Sequence, residues 1–180
     1  MSRGTAVIPA LYPVELFADT VDSPIGPVEV VTDARAVCAL EFADIEERMT
    51  ARLARRFGRF TLRRRRDPLG VRRKLEAYFA GDLRAIDGIA VNPGGTPFQQ
   101  AVWRALRRIP PGKTSSYGRL AARLGRPAAP RAVGHANALN PVAIVIPCHR
   151  LIGGDAGLTG YAGGVERKRW LLRHEGALLK

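Results

Sequence analysis

The sequence predicts an α+β fold in which a small sheet-forming first half precedes a mostly helical second half. Alternating apolar residues between positions 28 and 42 predict strands. Apolar spacings of three and four residues predict helices from about position 45 onward. Asn92-Pro93-Gly94-Gly95 is the best candidate for a linker between the halves. We therefore expect a supporting α/β domain over residues 1–92 and a second domain over residues 93–180.

The first half begins with a predicted β-hairpin. Ser23–Pro27 is a turn signal, and the β-rich run Val28–Thr32 follows it. In the next strand, residues that alternate along the chain share one apolar face: Ala36, Cys38, Leu40 and Phe42. Because it lies on that face, Cys38 is predicted to be a small buried apolar side chain.

Two helices are predicted after the hairpin. The first covers Ile45–Phe57, with apolar residues four apart, and the second covers Leu69–Phe79. Arg63–Arg66 lies between them. We interpret this run as solvated, with contact to phosphates as the less favoured alternative.

The second half opens with a predicted capping box formed by Thr96 and Gln99, with Pro97 at the first helical position. Two short helices, Tyr117–Leu124 and Pro130–Leu139, then flank a turn that contains Gly125. Such a pair is typical of a helix-turn-helix, although many all-α cores contain one.

The next segment carries the candidate chemistry. The apolar run Val142–Ile146 is predicted to be a buried strand, and Pro147-Cys148-His149-Arg150 follows it. A thiol with a pKa of about 8.5 is only slightly ionised at neutral pH, so a nucleophilic cysteine needs a base or a positive charge nearby. By residue type alone, a reactive Cys148 and a buried structural one are equally good interpretations.

Charge is distributed unevenly along the chain. Residues 1–90 carry 15 Lys and Arg against 13 Asp and Glu, whereas residues 91–180 carry 14 against 3, so most of the net charge of +13 lies in the second half. This asymmetry is typical of a domain that binds a polyanion such as nucleic acid. A chain that uses Arg wherever Lys would serve is the alternative.

Several other function classes are disfavoured. The sequence has no apolar run long enough to span a membrane, and its first residues do not form a convincing signal peptide, so we expect a cytoplasmic protein with no membrane partner. Two cysteines exclude a disulfide framework and a four-cysteine zinc site. Neither a metal site nor a cofactor is expected.

Seven ordered blocks give the chain a family resemblance. They are Asp22–Gly26, Gly95–Gln99, Ser116-Tyr117, Arg131–Gly134, Asn140-Pro141-Val142 with Pro147–Arg150, Gly160–Gly164 and His174-Glu175-Gly176. Together they are similar to the O6-alkylguanine-DNA alkyltransferases, also called methylated-DNA–protein-cysteine methyltransferases. The resemblance covers nearly the whole chain beyond about residue 15, and it implies a ribonuclease-H-like first domain.

The resemblance also implies catalytic roles. Cys148 would accept the alkyl group in one irreversible turnover, and His149 would act through a water as the base. Glu175 would hold the imidazole in the correct tautomer. Asn140 would tie the turn before the active-site segment, and Tyr117 would donate to the leaving guanine.

The remaining implied residues contact the nucleic acid. Double-stranded DNA would bind through its minor groove, with the small residues Ala129, Ala132 and Gly134 facing the groove and Arg131 replacing a flipped alkylguanine. The base pocket would comprise Leu151, Tyr161, Ala162 and Gly163. Many relatives have serine where this chain has Ala162, so a hydroxyl contribution there is lost. A monomer is expected, with cooperative binding to DNA left open.

Three alternatives compete with this interpretation. A lesion-binding relative without transfer activity would carry tryptophan at the nucleophile position, whereas this chain has Cys148. A cysteine hydrolase would need direct contact between Cys148 and His149, which is awkward for neighbours on an extended chain. A transcription factor would use the helix-turn-helix alone, but the sequence shows no added regulatory domain.

Overall fold

The computed structural model describes residues 13–154, 157–158 and 160–178, except for the side chain of Glu46. The first half contains β1 (Val14–Val21), β2 (Val28–Thr32), β3 (Val37–Phe42), α1 (Glu46–Phe57), β4 (Phe60–Arg64) and α2 (Val71–Phe79). The second half contains α3 (Pro97–Leu106), β5 (Ser115–Ser116), α4 (Tyr117–Arg123), α5 (Pro130–Ala138), β6 (Leu151–Ile152) and α6 (Val165–His174). This order confirms the predicted α+β fold.

A four-stranded sheet organises the first half in the order β3-β2-β1-β4. The predicted hairpin is confirmed, because β2 and β3 pair antiparallel with Val30 opposite Leu40. Strand β4 was not predicted. It pairs parallel with β1 at the far edge of the sheet, and it includes Arg63 and Arg64 from the basic run, which remains exposed as expected.

Both faces of the sheet are covered. Helix α1 packs Met49 and Leu53 on one face, against residues that include Leu16 and Ala39. The other face belongs to a larger core that also contains residues of α2 and of the second half. Strand β3 is consequently buried along its whole length, and Cys38 is buried as predicted.

The main core continues across the predicted domain boundary. Backbone hydrogen bonds connect Leu40 of β3 with Pro141 and Ala143, at 2.9 and 2.8 Å. The side chains of Leu40, Val142 and Trp103 belong to the same buried cluster. The boundary between residues 92 and 93 stays a prediction, and the two halves pack as neighbours around one interior.

Helices α3 and α4 begin with side-chain caps. The side chain of Thr96 accepts from the backbone N–H of Gln99, whose side chain accepts from Thr96 in return, so the predicted capping box is present at α3. Ser116 caps α4 by accepting from the N–H of Arg119 at 3.1 Å. Helices α4 and α5 then pack against each other and against the core.

Candidate active site

The segment before Cys148 is not the strand that its apolar sequence predicts. Residues 142–146 are fully buried but form tight turns around the side chain of Asn140. Its Oδ1 accepts from the N–H of Val142 at 3.0 Å, and its Nδ2 donates to the carbonyl of Ile146 at 2.8 Å. Ile144 has a φ of +68°, which is uncommon for a β-branched residue. The prediction of a strand was wrong: the segment pairs with β3 at a single bridge between Val142 and Leu40, and Asn140 then holds the turns together.

Cys148 begins a 3-10 turn, Cys148–Arg150, directly after this segment. The turn replaces the extended conformation that we expected for these residues. Only 6% of Cys148 is exposed, and burial raises the pKa of its thiol to about 11. Hydrogen bonding from the side chain of Asn140 and the charge of Lys168 act in the opposite direction, favouring the thiolate, but burial outweighs them. The thiol is therefore protonated at neutral pH in the free protein.

His149 is completely buried and contacts Glu175, which follows α6 directly. Nε2 of His149 lies 2.9 Å from Oε1 of Glu175. Burial lowers the pKa of His149, so the neutral imidazole predominates at pH 7. Because a carboxylate only accepts, Nε2 carries the proton and Nδ1 is the basic nitrogen. Among the described residues, Nδ1 has no hydrogen-bond partner.

Glu175 remains ionised although it is buried. Burial alone would raise the pKa of Glu175, but hydrogen bonds and charge from His149 and Arg150 bring it far below its usual range. Arg150 forms a two-pronged ion pair with the carboxylate, with both N–O distances at 2.8 Å. The hydroxyl of Tyr78 also donates to Oε1, at 2.7 Å. The imidazole thus lies beside a neutralised ion pair.

Lys168 brings a positive charge into the same interior. Its side chain is fully buried in α6, and Nζ donates to the carbonyl of Leu151 at 2.7 Å. Burial lowers the pKa of Lys168, whereas a thiolate at Cys148 would raise it. The positive charge of Lys168 would therefore stabilise a thiolate at Cys148. The carbonyl of Leu151, a predicted base-pocket group, is thereby engaged by a cation.

A small cavity of about 20 Å³ adjoins the thiol. Its lining includes Cys148, Asn137, Asn140 and the loop residues Tyr161, Ala162 and Gly163. Such a space holds about one water molecule and is far too small for a purine. Gly163 must lack a side chain, because a Cβ there would lie 2.6 Å from the ring of Phe42.

A wider cleft of about 630 Å³ runs beside the cavity. Helix α5 forms one wall and the Gly160–Ala162 loop forms another. The cleft and the cavity share Asn137, Ala138, Gly160, Tyr161 and Ala162. Tyr117, Arg131 and Gly134 line the cleft, with Arg131 exposed. The cleft along α5 is therefore directly adjacent to the cavity at Cys148.

The structure brings most of the predicted residues to one place. Cys148 and the pocket loop line the cavity, while Tyr117, Arg131 and Gly134 line the adjoining cleft. Ala132 is exposed and Ala129 is half-buried on the same helical segment. Their individual roles stay predictions.

Sequence reasoning missed five residues of this region. They are Tyr78, Asn137, Arg150, Lys168 and Arg48, the last of which reaches the cleft from α1. Arg150 stands in the quoted motif, so a role as the partner of a carboxylate could have been inferred from it. The pattern around Tyr78 indicates only a helix with an apolar face, because Tyr is common in cores.

Within the described ranges, no three His, Cys, Asp or Glu side chains cluster as a metal-binding group. No helix in that part of the chain is both long and apolar enough to cross a membrane.

Comparison with known families accounts for both halves of the chain. The model for the 6-O-methylguanine DNA methyltransferase ribonuclease-like domain matches residues 16–93. The model for the DNA binding domain of the same enzyme matches residues 97–177. The chain belongs to the 6-O-methylguanine DNA methyltransferase family. The expected ribonuclease-like character of the first half is thereby confirmed.

Individual members of this family are similar over almost their full length. A methylated-DNA–protein-cysteine methyltransferase from Salmonella typhimurium is 50% identical over 167 residues, which cover 91% of this chain and 98% of the relative. One from Mycobacterium bovis is 43% identical over 157 residues, or 87% and 90% of the two chains. The crystal structure of Mycobacterium tuberculosis OGT in complex with DNA has a TM-score of 0.74 at 40% identity, covering 91% and 93%.

Proposed function

We propose that this protein repairs DNA by direct reversal, moving an alkyl group from O6 of guanine to Cys148. The observation that carries the proposal is a buried cysteine that lines a cavity and is followed in the chain by a histidine fixed by a buried carboxylate. Cys148 lies beside an imidazole whose Nε2 is held by Glu175, so that Nδ1 is left as the proton acceptor. The match to family members named as methyltransferases supports the same reaction.

The proposed chemistry is a single displacement. Nδ1 of His149 takes the thiol proton through a water, and Glu175 stabilises the imidazolium that forms. The thiolate attacks the alkyl carbon, an S–C bond forms, and the C–O6 bond breaks with its electron pair remaining on guanine. Tyr117 donates a proton to the leaving base, and the proton taken by His149 restores the hydroxyl. Guanine and a thioether are the products.

DNA would reach the thiol through the cleft beside α5. The relative crystallised with DNA supports a nucleic-acid ligand. A base inside a duplex cannot reach a buried thiol, so we propose that the alkylguanine is flipped out and that Arg131 takes its place in the stack. The small side chains of Ala129, Ala132 and Gly134 suit close approach to a minor groove about 6 Å wide.

The pocket must open to receive the base. A cavity of about 20 Å³ cannot hold a purine, so Tyr161–Gly163 would move outward and then close over the ring. The loop would present a backbone N–H to O6, and the carbonyls of Cys148 and Leu151 would accept from the guanine amino group. At present these carbonyls accept from Asn137 at 3.4 Å and from Lys168 at 2.7 Å.

Each molecule would act once and as a monomer. A thioether is chemically stable, and none of the described side chains lining the cavity is suited to cleave it. The protein would therefore be consumed in proportion to the lesions it repairs. Cooperative assembly along DNA would add contacts between molecules without changing this stoichiometry.

The decisive experiment uses both cysteines. After incubation with duplex DNA that contains O6-methylguanine, the intact protein should gain the mass of one methylene, located on the Cys148 peptide. Cys148→Ser should gain none while still binding DNA. Cys38→Ser is the matched control and should gain the full increment, because Cys38 contacts Asp33 and Ala36 rather than the cavity.

Two results would contradict the proposal. An unmodified wild-type protein that still binds the lesion would support the lesion-binding alternative. Methylation on Cys38 or elsewhere, with Cys148 intact, would remove Cys148 from the mechanism.

A further inference from the structure

Tyr78 reaches the active-site carboxylate from the first half of the chain. It lies in α2 with no exposed surface, and its hydroxyl donates to Oε1 of Glu175 at 2.7 Å. In sequence the two residues are 97 positions apart. Without this hydrogen bond, the Tyr78 hydroxyl would be a buried polar group with no partner.

Tyr78 and His149 share one oxygen atom. Oε1 of Glu175 accepts from the Tyr78 hydroxyl, from Nε2 of His149 at 2.9 Å and from Arg150 at 2.8 Å, whereas Oε2 accepts from Arg150. Donors that share an acceptor compete for its electron density. Each of them therefore weakens the hold of Oε1 on the other two.

We propose that Tyr78 is a positioning residue for alkyl transfer, whose hydroxyl limits how strongly Glu175 stabilises a proton on His149. This inference rests on the proposed function. With the hydroxyl present, the carboxylate orients the imidazole through Nε2 without making Nδ1 so basic that it is protonated before substrate arrives. The first half of the protein thus supplies a group that adjusts the base.

The cations near the imidazole, Arg150 and Lys168, also disfavour a proton on His149. Arg150 neutralises Glu175, and Lys168 opposes a positive charge on His149. Cys148 is neutral until it is deprotonated. His174, from α6, packs edge-to-face against the Tyr78 ring, with 5.1 Å between ring centroids, and hydrogen-bonds to the Tyr78 carbonyl. It therefore supports the ring and has no described hydrogen bond to Glu175. Removal of the Tyr78 hydroxyl changes one donor to Glu175 and leaves these groups in place.

Tyr78→Phe separates this role from packing. The variant keeps the ring and its edge contacts with Phe79 and His174, at 5.3 and 5.1 Å, and loses only the hydroxyl. The experiment measures the second-order rate of Cys148 alkylation by free O6-benzylguanine between pH 5 and 8. We expect the acid limb of the Tyr78→Phe profile to move to higher pH by about 0.5 unit, because loss of one donor to Oε1 strengthens the hydrogen bond from Nε2 of His149 and part of that gain favours the protonated imidazole.

Leu75→Val is the matched control. Leu75 is fully buried one turn earlier in α2, contributes to the same core and has no polar group that could bond to Glu175. This variant should lower the melting temperature and leave the acid limb where the wild type has it. If Leu75→Val moves the limb as far as Tyr78→Phe does, the effect is one of packing and the proposal is wrong.

A direct readout of the imidazole completes the test. Titration of the ring ¹⁵N signals of His149 should show the neutral Nε2–H tautomer in both proteins, with protonation at higher pH in Tyr78→Phe. Coincident titration curves and coincident acid limbs would overturn the proposal. Failure of the proposed function would look different, because wild-type Cys148 would then not be alkylated at any pH.

Discussion

Cys148 is unusual for a nucleophile in that its surroundings suppress the thiolate. Reactive cysteines are commonly exposed to positive charge that lowers the thiol pKa, whereas burial here raises it to about 11. At neutral pH, roughly one thiol in ten thousand would be ionised by that value alone. In the proposed mechanism, deprotonation by His149 would therefore accompany substrate binding. The protonated thiol also resists oxidation while no substrate is bound.

Arg131 provides a prediction at the level of one residue. Because its exposed side chain lines the cleft and not the cavity, Arg131→Ala should slow repair of duplex DNA by about tenfold or more, and alkylation by free O6-benzylguanine should change little. The two rates can be compared by measuring alkylated protein over time.

Arg173→Ala is the matched control for loss of one positive charge. Arg173 is exposed near the end of α6 and does not line the cleft. Equal slowing of duplex repair in both variants would assign the effect to net charge, and equal losses with duplex and free base would contradict a role for Arg131 in base flipping.

Among the elements, those with a clear period were predictable from the sequence. Apolar alternation predicted the hairpin. Apolar spacing, caps and glycine stops predicted helices α1, α3, α4 and α5. Strand β4 was missed because it is an exposed edge strand that includes part of the basic run. Charged residues are common on edge strands, and here they hide the alternation of apolar and polar residues that identifies a strand. Residues 142–146 were misassigned because a buried apolar run does not distinguish a strand from side-chain-tied turns.

The site was predictable only as far as its sequence motif extends. Cys148, His149 and Asn140 lie within 9 positions of one another, so local spacing identifies them. Tyr78 becomes part of the site through the packing of α2 against the second half, and no local pattern encodes that contact. Lys168 looks like a surface residue in sequence, and only the position of α6 shows that it is buried.

Helix α5 gives a prediction about Gly134. A Cβ at this position would lie 3.5 Å from the Tyr117 ring, which is ordinary contact, so the fold does not require glycine there. Gly134→Ala should raise the free energy of unfolding by up to about 1 kcal/mol through helix propensity. The added methyl group should weaken binding to duplex DNA, because this face of the helix lines the cleft.

Urea unfolding and duplex titration would measure the two effects of Gly134→Ala separately. Alkylation by the free base serves as the internal control and should be unchanged. Unchanged duplex affinity would show that Gly134 does not face the groove.

For the whole molecule, the uneven charge predicts strongly salt-dependent DNA binding. Residues 91–180 carry 14 Lys and Arg against 3 Asp and Glu, and the cleft lies largely within this half. If Z phosphates are contacted, the logarithm of affinity should fall with the logarithm of salt concentration with a slope of about −0.9Z. Fluorescence anisotropy across a salt series would measure the slope, and a slope near zero would exclude phosphate contacts as the main source of affinity.

Buried ionisable groups also predict how stability depends on pH. The pKa of Cys148 rises from 9.0 to about 11 on folding, so its stabilising contribution is complete below pH 9 and is lost as pH approaches 11. His149 and Glu175 have lowered pKa values, so stability falls as pH decreases below about 6.5 and again below 4.5. For these three groups together, the free energy of unfolding should therefore be greatest between about pH 6.5 and 9.

Cys148→Ser tests the alkaline part of this prediction. Between pH 8 and 11, the wild type should lose roughly 2 kcal/mol more than the variant, since each pKa unit corresponds to about 1.36 kcal/mol. Cys38 also has a raised pKa, at about 11, and Cys38→Ser should flatten the same part of the curve. Identical alkaline curves for wild type and Cys148→Ser would show that the thiol is not buried in solution.

The contact between Tyr78 and Glu175 joins residues that the ribosome makes 97 positions apart. Until α6 docks, the hydroxyl of Tyr78, the ring of His149 and the guanidinium of Arg150 all lack the carboxylate that aligns them. A chain that has been made beyond His149 but not as far as Glu175 consequently holds Cys148 next to an unaligned imidazole. In the proposed reaction, competence to accept an alkyl group would therefore arise only after the segment that carries Glu175 has folded against α2.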